Sequence, residues 1–125
     1  MVAVDVENRT GEDVPADQAV AVIRQTLAAE GIHDGELGLH FVGAEESRGL
    51  KREHLGIDEA TDVLSFPLDG REPLPDGLPR QLGDLVVCPA VVGADWRGPL
   101  VHGVLHLLGY DHGDAMLARE QELAT

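Results

Sequence analysis

HGVLHLLGYDH, residues 102–112, holds three of the six histidines in this 125-residue chain. His102 and His106 are four apart, so at 3.6 residues per turn they stand on one helix face, one turn above the other. Leu100, Val101, Val104, Leu105, Leu107 and Leu108 make the same helix apolar on nearly every side, which predicts that it is buried. The stripe that is not large and apolar runs Pro99, His102, His106, Gly109. Gly109 predicts the stop, because glycine takes the left-handed conformation without a Cβ clash. The chain then turns back through Tyr110 and Asp111, and His112 approaches the first two histidines from another direction. Neutral imidazoles on a rigid support can share one metal ion, which makes His102, His106 and His112 the expected ligands. A histidine pair at this spacing reads more simply as a polar helix face. The third histidine beyond a helix-stopping glycine favours the metal.

The spacing H-x3-H-x2-G-x2-H is that of the metzincin zinc motif. Proteases of that type carry glutamate directly after the first histidine, as general base. Here that position is Gly103. The metal-binding half of the motif is present and the proteolytic half is missing. Three nitrogen ligands leave a position for water, and zinc so held lowers the pKa of that water to about 7. Such a centre suits attack on phosphorus or on a carbonyl. The expected cofactor is one divalent ion, zinc first, although imidazole also suits nickel, copper and iron.

Composition bounds the surroundings of this site. Hydrophobic residues make up 43% of the chain and aromatics only 3%, so a single domain over residues 1–125 has a core of Leu, Val and Ala. No apolar run approaches the ~18 residues of a membrane span. The opening MVAVDVENRT has no basic stretch followed by a long apolar one, so no signal peptide is expected. Cys88 is the single cysteine, which excludes an intrachain disulfide. These features predict a cytoplasmic protein with no membrane partner. The net charge of −14 argues against a general polyanion binder. Of the basic residues only Arg48, Lys51 and Arg52 cluster, so a nucleic-acid function needs that patch, a metal, or a partner that supplies charge.

Taken in order, VAVDVE (2–7) alternates like a half-buried strand. A helix is predicted from about Pro15, with Asp13 as candidate cap, Val20, Ile23 and Leu27 as buried stripe, and Gly31 as stop. ELGLHFVG (36–43) is the second strand, with Leu37, Leu39 and Phe41 on one face and His40 on the other. His33, His40 and His54 read as ordinary surface or edge histidines. AEESRGLKREHL (44–55) is a short helix with glutamates in its first turn, where the helix dipole favours them, and Gly56 stops it. Val63 to Leu68 is a strand candidate, followed by an exposed irregular run, DGREPLPDGLPRQ (69–81). GDLVVCP (83–89) is a buried strand with Cys88 as a small hydrophobe. Residues 90–98 allow little more than a turn of helix. The histidine helix follows, then a last helix from about Asp114, its candidate cap, to Leu123.

Three segments together, TDVLSFP (61–67), LGDLVVCP (82–89) and HGVLHLLGYDH (102–112), resemble the YbeY family of bacterial ribosome-associated ribonucleases. The resemblance covers about residues 36–122. It implies a small α+β domain, a mixed sheet packed with helices, and a metal held by the three histidines near the end of a buried helix. It further implies a single-strand-specific endoribonuclease acting in maturation of ribosomal RNA, the 3′ end of the 16S species included, and in ribosome quality control. The partners so implied are single-stranded or ribosomal RNA, with the ribosome or a ribosomal protein. The chain departs from the family in two places. Leu55 stands where many members have an arginine, and the segment between Cys88 and His102 is shorter.

Other candidates carry two readings each. Asp111 either orients a histidine ligand or caps the turn. Asp62 and Ser65 either reach the cleft as catalytic groups or serve as a loop cap and a strand residue. Asp84 either belongs with them or is no more than a turn residue. Tyr110 either stacks on a base or packs over the helix end. Arg48, Lys51 and Arg52 are the candidates for holding RNA backbone. Two other functions compete: a zinc hydrolase of another substrate such as a peptide, and a non-catalytic ribosome assembly factor with a structural metal.

Overall fold

The computed structural model describes residues 1–110 and 114–124. The expected roles of Asp111 and His112, and the capping expected of the Asp114 side chain, fall outside what is described. Among the described residues the order is β1 (Ala3–Asn8), α1 (Ala16–Ala29), β2 (Glu36–Phe41), α2 (Ala44–Leu55), β3 (Val63–Pro67), β4 (Gln81–Val87), α3 (Pro89–Val92), α4 (Arg97–Leu107) and α5 (Asp114–Ala124).

The strands form one mixed sheet in the order β1-β2-β4-β3. β1 and β2 are parallel, as are β2 and β4, while β3 runs antiparallel to β4. Parallel neighbours need a crossover, and α1 supplies the one between β1 and β2. Alternation along β2 sends Leu37, Leu39 and Phe41 to one face, all buried, together with Leu85 and Val87 of β4. α1, α4 and α5 lie on that face. Ala19, Val22, Ile23, Thr26 and Leu27 form the buried side of α1, a stripe shifted from the expected one because Val20 is only half-buried. On the opposite face Leu50 of α2 packs with Val42, Leu64, Val86 and Phe66 in a second small cluster.

Several local expectations change. β1 is an edge strand and mostly exposed, with Val6 at 42%, because among the described residues one of its sides has no neighbouring strand. α1 has Pro15 at its N-cap and no side-chain cap, so Asp13 does not cap it. Asp84 is a strand residue of β4, not a turn residue. Its carboxylate lies 2.9 Å from His40 Nε2 on the outer face. His54, exposed as expected, also sets its ring edgewise against Phe66, 4.9 Å between centroids. The run between β3 and β4 is irregular, as its prolines predict. It is pinned by Arg80, which donates to the carbonyls of Gly70 and Glu72.

Candidate active site

α4 is buried as its composition predicts. Leu100, Val101, Gly103, Val104, Leu105 and Leu107 are all enclosed, and His102 and His106 are the half-open positions between them. Burying each leucine contributes roughly 1.5–3 kcal/mol, so the site stands on a firmly held helix. The helix ends where Gly109 turns to φ 95°. Gly109 N–H donates to the His106 carbonyl at 3.0 Å and Tyr110 N–H to the Leu105 carbonyl at 3.1 Å. These two reversed bonds satisfy carbonyls that a helix end otherwise leaves open. They also bring the Tyr110 carbonyl beneath His106.

That carbonyl accepts a hydrogen bond from His106 Nδ1 at 2.9 Å. On the other ring, His102 Nδ1 lies 2.8 Å from Glu120 Oε2, reached from α5. A carbonyl and a carboxylate accept, so each Nδ1 carries a proton, and in the neutral ring Nε2 then presents its lone pair. The two Nε2 atoms face one another at 3.0 Å. Two lone pairs so close repel unless a proton or a metal ion lies between them. Nitrogens bound at 2.0–2.1 Å to one tetrahedral zinc are about 3.3 Å apart, within a few tenths of the distance seen. The donor set therefore fits a divalent metal, with Glu120 and the Tyr110 carbonyl orienting the two rings from behind. Among the described residues no group of three or more metal-ligating side chains assembles. The third expected ligand, His112, lies outside them.

Gly103 explains why no glutamate follows the first histidine. A Cβ there would stand 2.9 Å from Val63 Cγ1, 3.1 Å from Leu85 Cδ2 and 3.1 Å from Ser65 Oγ. The helix backbone rests directly on β3 and β4, and a longer side chain has no room. Ser65 donates its hydroxyl to the Gly103 carbonyl at 2.9 Å, which fastens β3 to α4.

The histidines line a cleft of about 790 Å³. One wall is α4 and α5, with Pro99, His102, His106 and Glu120; the other includes Lys51 and Leu55 of α2 and the segment Thr61–Ser65. Asp62 lines the cleft too, but its Oδ1 accepts the Val63 backbone N–H at 2.7 Å and so shapes the turn into β3. Tyr110 contributes to the lining, while its half-buried ring packs against the main core. The Glu30 carboxylate near its hydroxyl, and burial after it, raise its pKa above the ordinary phenol value. The packing role suits that placement better than an open stacking face.

The basic trio does not form one patch in the cleft. Arg48 makes a bidentate pair with Asp58 at 2.7 and 2.9 Å, and Arg52 lies 3.6 Å from the same carboxylate. The Arg48 hydrogen bonds hold the Asp58 carboxyl below its usual range. Lys51 alone of the three lines the cleft, with Nζ 3.2 Å from Glu59 Oε1. Leu55 beside it is 60% exposed.

Glu120 was not foreseen from sequence. It lies eighteen residues beyond His102 on another helix, and a glutamate in the charged stretch REQE carries no spacing signal that separates it from its neighbours.

A mixed four-stranded sheet, backed by a buried helix that turns two convergent histidines into a cleft, defines a small α+β domain with a histidine-centred site. The family model described as Endoribonuclease YbeY matches residues 5–124, and the chain belongs to that family. It is 42% identical over 122 residues to the Endoribonuclease YbeY of Halorhodospira halophila, covering 86% of this chain and 76% of that one. It is 36% identical over 129 residues to that of Rhodococcus jostii, covering 90% and 72%. Over 99 residues it is 46% identical to that of Chromohalobacter salexigens, covering 70% and 62%. The fold is similar to the solution structure of a Thermotoga maritima protein, with a TM-score of 0.61 over 99% of this chain and 87% of that one, at 24% identity.

Proposed function

We propose that this protein is a metal-dependent endoribonuclease that cuts single-stranded RNA in ribosomal RNA maturation and ribosome quality control. Family membership supports the nuclease role. The observation that carries the metal dependence is the pair of Nε2 atoms converging at 3.0 Å with both Nδ1 atoms tied back. His102 and His106 would hold the ion, with His112 as the third ligand. A zinc ion so held would supply positive charge at a phosphate oxygen and would make water a stronger acid. The protein's own groups do the rest. Glu120 and the Tyr110 carbonyl fix the ring orientations. The Ser65–Gly103 bond and the enclosed leucines keep α4 rigid. A cleft between α2 and α4 suits strands whose backbone is not held in a duplex. The packing at Gly103 counts against a peptide hydrolase of the metzincin type, since the general-base glutamate has no place to stand.

The test compares wild type, His102→Ala and His106→Ala. Wild type holds about one divalent ion per chain, and His106→Ala loses most of it. On one single-stranded RNA, with and without ribosomes, wild type cleaves and His102→Ala does not. Equal cleavage by both proteins would remove the histidines from the reaction and leave an assembly factor with a structural metal.

A further inference from the structure

The proposed reaction brings a polyanion to a chain of net charge −14, and among the described residues lining the cleft Lys51 is the one lysine or arginine. Its placement follows from how α2 is rotated. Ser47, one turn before Lys51, is buried at 1% exposure. Its hydroxyl donates to the Thr61 carbonyl at 2.9 Å and accepts the Thr61 N–H at 3.0 Å. This reciprocal pair turns the face carrying Ser47, Lys51 and Leu55 toward the cleft. Arg48 and Arg52, one position further round, meet Asp58 outside it. The Lys51 side chain is only 15% exposed, so its stem is held, while its ammonium has a single 3.2 Å contact to a Glu59 side chain that is 65% exposed. Because Glu59 reaches it from solvent through one 3.2 Å contact, the ammonium can exchange that carboxylate for a phosphate.

We infer that Lys51 is the residue that positions the substrate's backbone, gripping one phosphate of the bound single strand after releasing Glu59. Leu55, one turn on and largely exposed at the same wall, offers an apolar surface to the adjoining base. The cleft so built holds few phosphates, and the inference rests on the nuclease reading of the same site. Lys51 is thus a binding residue that sets substrate affinity, not one that sets the rate of the chemical step.

The probe is a fluorescein-labelled 2′-O-methyl oligouridylate, which binds and is not cut, titrated into the purified protein at several salt concentrations. Lys51→Met keeps the stem and removes the charge. It should bind about tenfold more weakly, and its salt slope should be shallower by about 0.7. With a cleavable strand its KM rises and its kcat stays. Lys51→Arg restores binding, and Arg48→Ala changes neither affinity nor slope. Glu59→Gln releases the ammonium and should tighten binding, a direction that a folding defect does not mimic. A wild type that binds, alongside Lys51→Met with unchanged affinity and slope, overturns the inference and leaves the nuclease reading standing. A wild type with no salt-dependent binding of the probe overturns both.

Discussion

Gly103 decides more than any other single residue here. It is the position where a protease of the same histidine spacing would carry its general base, and its missing side chain is what lets α4 sit on Val63, Ser65 and Leu85. Sequence showed the substitution and could not show its cause, because all three neighbours come from strands at least eighteen residues away in the chain. Alanine at this position would gain about 1 kcal/mol of helix propensity over glycine. It would also force a stiff, β-branched Val63 to move, and overpacking of that kind costs roughly 1–3 kcal/mol. We expect the packing term to win, so that Gly103→Ala is destabilised by about 1 kcal/mol in urea unfolding. A variant as stable as wild type would show that β3 yields easily and that steric exclusion does not account for the missing glutamate.

At the scale of elements, the site is a contact between α4 and α5. α4 brings the two histidines; α5 brings Glu120 to His102 Nδ1 and Met116 to the core. α4 was legible because its signal is local: apolar on all sides, one histidine stripe, a glycine at the stop. The register of α5 against it was not, since amphipathic patterning says which side of a helix is buried and not which residue of the partner it meets. Hydrogen bonds behind a histidine ligand typically contribute 10–100-fold to metal affinity. Glu120→Ala should therefore weaken zinc binding by about that factor in competition with a chromophoric chelator, with Glu120→Gln, which retains an acceptor oxygen, losing less. Unchanged affinity in Glu120→Ala would mean that His102 is oriented by its packing alone. The same logic sorts the basic trio on α2. Spacing along the helix put Arg48, Lys51 and Arg52 together, whereas the Ser47–Thr61 bonds decided which one faces the cleft.

Across the whole molecule, a buried carboxylate ties three segments together. Glu30, with a side chain only 7% exposed at the end of α1, lies 3.2 Å from Arg119 of α5 and 3.4 Å from Arg71 of the β3–β4 connection, and its charge helps to raise the pKa of Tyr110 beyond α4. Most other charges are on the surface, and 23 acidic against 9 basic residues leave the chain strongly negative. Exposed ion pairs such as Arg48–Asp58 each contribute little, about 0–1 kcal/mol, so self-repulsion of the compact state should dominate the response to salt. The urea midpoint is therefore expected to rise as sodium chloride is raised from low to physiological concentration in metal-free buffer. A falling midpoint would show that the paired charges outweigh the repulsion. What the sequence determined by itself was whatever depends on near neighbours along the chain: the buried histidine helix and its glycine stop, the β2 alternation, the proline-rich connection, and the motif set that marks the family. Only the tertiary structure decided the order β1-β2-β4-β3, the close seat of Gly103, Glu120 behind His102, and Lys51 as the cation in the cleft. Each of these rests on contacts between residues far apart in sequence, and their partners are chosen by packing of the whole core, which no local period or spacing encodes.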